Sequence, residues 1–254
     1  MKRKFAFLHR ARAGAIHLLL SGLVAALAAA LVFGLWYPGF FRDVSGGREL
    51  FLLVTVVDLV VGPLLTFTVF DPRKPARELG RDLATIGVLQ LAALVYGVHT
   101  VYLARPIAVV FEIDRLRVLT TDQIRTSELP QARAEYRKLP VAGPWFLSVR
   151  PPTDDAARNE ALFAAVDGYD LAQRPIFWMP YSQRTTELLG RARPISILLR
   201  RYPARMAEFK RRLDELQLDA GDVKFIPMVA RGDWIAVIRA DGQIGGVIAA
   251  DGFF

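Results

Sequence analysis

Residues 50–70 of the chain read LFLLVTVVDLVVGPLLTFTVF, and these 21 residues contain a single charged side chain, that of Asp58. An α-helix rises 1.5 Å per residue and needs about 20 residues to cross the hydrocarbon core of a bilayer. The stretch is long enough and apolar enough for such a helix. Because a buried helix of a soluble protein is usually shorter, we interpret the stretch as a membrane span.

Two further apolar runs flank this stretch. Residues 14–36 and 83–104 contain no Lys, Arg, Asp or Glu, and each is long enough to span a bilayer. The first run follows a basic start and so also fits a signal peptide, but it continues through Leu31–Trp36, beyond the roughly 7–15 apolar residues of a signal core. We interpret it as an uncleaved helix. The sequence therefore predicts a membrane protein with three transmembrane α-helices (14–36, 50–70 and 83–104), in keeping with 53% hydrophobic residues and a mean hydropathy of +0.27.

The distribution of Lys and Arg predicts the orientation. Five basic residues precede the first run within 1–13, two lie within 37–49, and four lie within 71–82. Short cytoplasmic loops carry the excess of basic residues in membrane proteins, so the pattern reads inside, outside, inside. We expect 1–13 to be a basic cytoplasmic N-terminus, 14–104 to be a three-helix transmembrane region, and 105–254 to be a periplasmic domain.

An aromatic group lies where the first predicted helix ends. Its members are Trp36, Tyr37, Phe40 and Phe41, and Tyr102 lies near the exit of the third predicted helix. Trp and Tyr are enriched where a membrane meets water, because their rings are apolar and their edges are polar. We expect these side chains to lie at the outer membrane interface.

Polar residues inside the predicted helices are candidate contacts. Asp58 and His99 both lie about 9–12 Å below the outer surface by the helical rise. A carboxylate that faces lipid is unfavourable, so we expect Asp58 to face the bundle and to accept a hydrogen bond from His99, with Tyr96, Thr55 and Tyr102 as other candidate donors. Gly62-Pro63 predicts a bend, because Pro63 supplies no N–H to the helix. Two roles stay open for Asp58: a tie within the bundle, and a polar contact for another protein's transmembrane helix.

The last 150 residues have the size of one domain. The turn dipeptide Asp241-Gly242 separates two β-rich segments and predicts a hairpin, and Asp154 is a suitable N-cap for a helix. Together with the other segments, these features predict a small α+β domain. The predicted strands are 107–113, 116–121, 145–149, 234–240 and 243–249, and the predicted helices are 154–166 and 203–216.

The chain offers few groups for catalysis. It has no cysteine, and its three histidines (His9, His17 and His99) all precede residue 104. This excludes thiolate chemistry from the chain, and a Ser–His–Asp triad or a His-ligated metal from the exterior domain. No G-x-x-x-x-G-K-[ST] loop is present. We expect no catalytic residue, no metal site and no cofactor, and therefore no enzyme; an envelope enzyme or a transporter component is the weakest alternative.

Basic residues are concentrated between 191 and 212. The whole chain carries a formal net charge of +8, but residues 105–254 contain 22 Lys and Arg against 19 Asp and Glu. Most of the excess thus belongs to the loops of the membrane region, and we expect no nucleic acid as a partner. A solvated face is the simplest interpretation of the cluster; contact with acidic lipid headgroups or with an acidic protein stays open. Its members are Arg191, Arg193, Arg200, Arg201, Arg205, Lys210, Arg211 and Arg212.

The stretch from Trp36 to Ile124 resembles a known family. The residues that carry the likeness are Trp36-Tyr37-Pro38, LLVTVVDLVVGPLLTFTVFDPRK (52–74), ELGRDLATIGVLQLAALVYGVHTVYLARP (78–106) and VFEIDRLRVLTTDQI (110–124). In these segments the chain resembles the type IV pilin accessory protein family (TfpX/TfpZ type). The positions in register with that family include Asp58, Gly62-Pro63, Tyr96-Gly97 and Asp114-Arg115.

The resemblance implies a helper in the bacterial inner membrane that supports the stability, folding or delivery of a type IV pilin. The implied partners are a pilin subunit and pilus assembly proteins, beside the surrounding membrane lipids, and no catalytic residue or cofactor is implied. The alternative is a membrane-tethered periplasmic sensor, or a lipid- or ligand-binding protein, that is unrelated to pili. The candidate partner-binding or structural positions are Asp58, Gly62, Pro63, Tyr96, His99, Asp114 and Arg115.

Overall fold

The computed structural model describes residues 2–254, apart from the side chains of residues 2–6 and of Leu50, Leu53, Val54 and Val57. The chain forms two units. The helical unit comprises the residues up to Trp36 together with Gly46–Leu103, and the sheet unit comprises Tyr37–Ser45 together with Ala104–Phe254. A short segment from the first fifty residues thus belongs to the same unit as the C-terminal part of the chain.

Three long helices make up the described part of the helical unit: α1 (Lys2–Leu31), which continues as a π-helical turn (Val32–Trp36), α3 (Gly47–Val69) and α4 (Ala76–Leu103). By length and composition, Phe7–Trp36 and Ala76–Leu103 could each cross a membrane. The continuous apolar part of α3 among the described residues, Asp58–Val69, is shorter than a span. Two candidate spans are therefore found, and the third stays a prediction.

Helix α3 lies against both other long helices, with α1 and α4 each packed along it. The α1–α3 contact is close because Gly14 has no side chain: a Cβ there would lie 3.3 Å from the carbonyl oxygen of Pro63. The rings of Phe7 and Phe67 meet edge to face with 5.6 Å between their centroids. Small residues at the contact are the usual means by which membrane helices approach one another.

The sheet unit combines a mixed sheet with short helices. Its strands in the described chain are β1 (Pro106–Phe111), β2 (Leu116–Thr120), β3 (Trp145–Val149), β4 (Trp178–Pro180), β5 (Arg193–Pro194), β6 (Lys224–Ala230), β7 (Gly232–Ile238) and β8 (Ile244–Ala249). Its helices are α2 (Phe41–Val44), α5 (Asp155–Val166), α6 (Thr185–Arg191), α7 (Ile195–Arg201) and α8 (Met206–Glu215). The prediction of a domain of helices and strands after the apolar helices is confirmed.

The strands follow the order β4-β3-β1-β2-β6-β7-β8, and β5 pairs with β6 beside β2. The β1–β3 and β2–β6 pairs are parallel, and the other pairs are antiparallel. Both faces of the sheet are covered. In β7, for example, Ala236 and Ile238 belong to one apolar cluster, while Ile235 and Val237 belong to the cluster that also holds Phe209 of α8. This alternation follows from the two-residue period of a strand.

The segment Tyr37–Ser45 is part of the sheet unit's core. Tyr37, Phe41 and Val44 are buried, with at most 2% of each residue exposed, and the carbonyl oxygen of Val44 accepts a hydrogen bond from the backbone N–H of Arg231 at 3.0 Å. The expectation that the rings of Tyr37 and Phe41 reach lipid headgroups is therefore wrong, whereas their depth relative to the membrane stays a prediction. Their rings lose all contact with solvent in a protein core, which a position among lipid headgroups does not provide. Burial also raises the pKa of the Tyr37 hydroxyl.

Local signals placed several elements correctly. Strand β3 has the predicted bounds, and the Asp154 side chain caps α5 by accepting a hydrogen bond from Ala157 N at 2.7 Å. The β7–β8 turn contains Gly242 at φ +81°, a conformation that favours glycine. Strand β6 was missed because Pro227 argues against a central strand. It is tolerated because β5 pairs at Lys224–Phe225 and β2 pairs at Met228–Val229, which leaves Pro227 in the gap between them.

Candidate functional site

An apolar groove, here called the helical groove, is bounded by α1, α3 and α4 and has a volume of about 480 Å³. This volume is within the range of protein binding pockets. The polar groups that line it are few, so they stand out against an otherwise apolar surface. The apolar lining includes Leu20, Val24 and Ala28 of α1 and Leu83, Leu91 and Leu94 of α4.

Hydrogen bonds between helices hold the α1 wall in place. His17 Nδ1 lies 2.6 Å from Thr66 Oγ1, and Thr66 is buried. Nearer the end of α3, the Arg10 side chain donates to the carbonyl oxygen of Phe70 at 2.8 Å and lies 3.6 Å from the Asp71 carboxylate. The carbonyl of Phe70 would otherwise be unpaired, since it follows the last turn of the helix. Sequence reasoning did not single out His17 or Thr66.

The Asp58 side chain lines the helical groove and is half-buried. Its carboxylate makes no hydrogen bond or ion pair with any described residue. The Gln90 side chain from α4 instead donates to the backbone carbonyl of Asp58 at 3.2 Å. The carboxylate is therefore left open to whatever fills the groove.

Gly62 makes room for this contact. A Cβ at Gly62 would lie only 1.9 Å from Gln90 Nε2, so the amide of Gln90 rests directly on the α3 backbone. Pro63 follows within the same helix, and its carbonyl oxygen is the atom that Gly14 approaches. Gly62-Pro63 thus marks the place where α3 meets α4 on one side and α1 on the other.

His99 and Tyr96 do not contact Asp58, and the predicted Asp58–His99 pair is wrong. Both side chains are exposed, Tyr96 by 74%. At 3.6 residues per turn, His99 is about 180° around α4 from Gln90, whereas the buried residues Gly97 and Val101 are within about 20° of it. The prediction considered depth along the helix but not which face turns toward α3.

Asp114 and Arg115 lie in the sheet unit, in the turn between β1 and β2. Arg115 Nε donates to Asp114 Oδ1 at 2.7 Å, and this hydrogen bond lowers the pKa of the Asp114 carboxyl. Both residues line a second groove of about 520 Å³, which Leu162 of α5 also lines. The two candidate residues therefore have a shared location, separate from that of Asp58.

Helix α5, next to this second groove, exposes its large apolar side chains to solvent and buries a small one. The side that faces the sheet unit carries Ala164, which is buried, whereas Leu162, Phe163 and Val166 are exposed by 66%, 73% and 86%. Leu162 and Phe163 precede Val166 by four and three residues, so the three side chains lie within about 100° of one another around the helix. An exposed apolar stripe of this kind is typical of an interaction surface.

Three of the eight residues of the basic cluster form the following hydrogen bonds and ion pairs within the sheet unit. Arg193 donates to the carbonyl oxygens of Gly252 and Phe254, and Arg205 forms a two-pronged ion pair with Glu208. Arg212 pairs with Glu215 at 2.9 Å. These contacts are local, as is usual on a solvated surface. Binding of lipid headgroups or of an acidic protein to the cluster stays a prediction.

Comparison with known proteins identifies the family. Residues 5–46 match the family model of fimbrial assembly protein FimB. Over 250 residues, 97% of each chain, the sequence is 36% identical to the fimbrial assembly protein of serogroup I from Dichelobacter nodosus, and 35% identical to that of serogroup E1. The chain belongs to the fimbrial assembly protein family.

This membership confirms the resemblance to pilin accessory proteins. The fimbrial assembly protein of D. nodosus serogroups C1 and C2 is 46% identical over 126 residues, which are 50% of this chain and 96% of that relative. No solved structure matches the chain. In this fimbrial assembly protein family member, the segment matched by the family model covers α1 from Phe5, the π-helical turn and α2. It therefore runs from one unit into the other.

Some structural residues carried no signal in the sequence. Arg184 is buried and donates to the carbonyl oxygens of Glu112 and Val149 at 2.6 and 2.7 Å, while it also pairs with Glu187. That hydrogen bond lowers the pKa of the Glu187 carboxyl. An isolated arginine cannot be recognised as buried from the sequence, because its burial depends on strands far away along the chain.

Proposed function

We propose that this protein is a non-enzymatic accessory factor of type IV pilus assembly, located in the bacterial inner membrane, which supports the stability, folding or delivery of pilin subunits. Family membership supports the connection with fimbrial assembly. The observation that carries the more specific role is the helical groove, which is open, apolar and walled by helices. A groove of this kind fits another apolar helix.

The division into units supports the proposed orientation. Tyr37–Ser45 and Ala104–Phe254 belong to one unit, which supports a location of both segments on the same side of the membrane. The chain between these two segments must then cross the membrane and come back, and α3 and α4 would supply the two crossings. In this proposal the basic segment 1–13 lies on the opposite side, and its excess of Lys and Arg supports a cytoplasmic location.

A pilin is the partner that this arrangement fits. A subunit that waits in the membrane exposes an apolar helix there and a folded head outside it, and a helper with helices in the membrane and a domain outside can reach both. The helical groove offers a place for the helix, and the stripe on α5 offers an apolar surface outside the membrane. The surrounding lipid is the second contact of the helical unit.

The test is a deletion in the native host, with immunoblots of pilin in whole cells and in the sheared surface fraction. We expect surface pilin to fall, and the intact gene to restore it. A chain that ends at Arg105 keeps the helical unit but lacks most of the sheet unit, and we expect it to restore less. Unchanged pilin in both fractions after the deletion would contradict the proposal and favour a sensor or ligand-binding role.

A further inference from the structure

Asp58 is the one charged residue between Glu49 and Asp71 on α3, and its carboxylate opens into the helical groove without a partner among the described residues. In an apolar environment a carboxylate needs a hydrogen-bond donor. The groove therefore contains one strong acceptor that the chain itself leaves unsatisfied.

Two of the donors on the groove walls are already engaged. The His17 ring is bonded to Thr66, and the Gln90 amide is bonded to the backbone carbonyl of Asp58 and held against Gly62. Freeing either would break a contact between two helices. The Ser21 and Thr55 hydroxyls also line the groove, and neither forms a hydrogen bond with Asp58 among the described residues. A donor for the Asp58 carboxylate is therefore best supplied from outside the chain.

We propose that the helical groove receives an apolar helix of a partner protein, and that this helix presents a hydroxyl, amide or amino group to Asp58. The identification of that partner as a pilin rests on the proposed function above. Lipid acyl chains would fill the apolar part of the groove but bring no donor to the carboxylate. The α1 wall carries Ser21, Ala25 and Ala28, and such small side chains let a second helix backbone come close.

Photocrosslinking from the intact chain in its native host tests this proposal. A photoreactive phenylalanine at Leu94 lies in the groove wall, one helical turn from Gln90, whereas the same group at Val95 points away, since that residue is 60% exposed and outside the groove. We expect crosslinked pilin from position 94 and little from position 95. The second step repeats the experiment at position 94 with Asp58→Leu and Asp58→Asn.

Asp58→Leu is expected to lower the crosslinking yield about three- to tenfold, as the loss of one interhelical hydrogen bond in a membrane predicts. Asp58→Asn keeps a carbonyl oxygen as acceptor and is expected to retain more. Both variants replace a charge in an apolar helix, so insertion should not suffer, and immunoblots of the protein itself check this.

The remaining outcomes contradict three different statements: the role of Asp58, the identity of the groove's occupant, and the proposed function. If position 94 crosslinks pilin and both Asp58 variants keep the full yield, Asp58 does not recognise the helix, but the proposed function stands. If position 94 captures only lipid or a second copy of this chain while the deletion still lowers surface pilin, the occupant is wrong. If the deletion leaves pilin unchanged, the proposed function fails first.

Discussion

The helical unit and the sheet unit place their large apolar side chains in opposite directions. Leu19 of α1 is 74% exposed and Val88 of α4 is 67% exposed, whereas Phe111 and Phe225 of the sheet are fully buried. In the helical unit, the residues between helices include small and polar ones, such as Gly14 and the pair formed by His17 and Thr66. The outward apolar surface suits lipid, and the inward small residues suit close packing.

The difference shows what stabilises each unit. The sheet unit is stabilised by the removal of apolar surface from water, so its sensitive positions are large side chains in the core. The helical unit gains little from that effect when lipid surrounds it, so its sensitive positions are those where helices touch. Four predictions follow this contrast.

The largest effect is expected for Phe41→Ala. Phe41 is 2% exposed in the core of the sheet unit, and its truncation should lower the free energy of unfolding by about 3–5 kcal/mol. Phe163→Ala is the matched control, since Phe163 is 73% exposed on α5, and it should change stability by less than about 0.5 kcal/mol. Urea unfolding of the full chain in detergent measures both. Equal effects would mean that the segment before α3 contributes nothing to the core.

The next effect is expected for Gly14→Leu. A leucine cannot fit where a Cβ already lies 3.3 Å from the Pro63 carbonyl oxygen, so α1 must move away from α3, and we expect a loss of about 1–3 kcal/mol. Gly22→Leu on the same helix is the control, because no atom lies within 4 Å of a Cβ there. Thermal unfolding in micelles compares them; a control as harmful as Gly14→Leu would argue against the close contact.

A smaller effect is expected for Gly62→Ala. The new methyl group displaces the Gln90 amide, which is flexible, and the loss is limited to the hydrogen bond with the Asp58 carbonyl, about 1 kcal/mol. Gln90→Ala should have a similar effect, and the double variant should be no worse than either single one. Additive losses in this double-mutant cycle would show that the two residues act independently.

The smallest effect is expected in the basic cluster. Lys210 and Arg211 of α8 are exposed, and their replacement by Gln should change stability by less than about 0.5 kcal/mol. Arg205→Gln is the comparison variant, because it removes the ion pair with Glu208 and the hydrogen bond that Arg205 donates to the carbonyl oxygen of Ala249. If the Lys210 and Arg211 variants keep their stability but lose surface pilin, the cluster is a docking site rather than a solvated face.

Sequence reasoning succeeded where the signal is local. Apolar runs, the Asp154 cap and the Gly242 turn depend on neighbouring residues alone, and each was found at or near its position. It failed where the answer depends on residues far away. Pro227 is tolerated in β6 because β5 and β2 pair with different parts of that strand, and neither of them pairs at Pro227.

The candidate site shows the same limit. Asp58 and Gly62 could be singled out, because a charge and a glycine-proline pair stand out in an apolar run. The residue of α4 that contacts Asp58 and Gly62 could not be identified from the sequence. His99 has a depth comparable to that of Asp58, but Gln90 lies on the face of α4 that turns toward α3. Depth can be calculated from the sequence, but the rotation of one helix toward another cannot.

The placement of Tyr37–Ser45 in the sheet unit has a consequence for biosynthesis. This segment is made before most of the chain, while the β6, β7 and β8 strands that share its unit are made last, roughly 10–40 s later at about 5–20 residues per second. A first helix inserted the wrong way round would keep Tyr37, Phe41 and Val44 on the other side of the membrane. The sheet unit would then lack part of its core, so in the proposed topology we expect correct insertion to be a precondition for folding, and misinserted chains to be open to proteases.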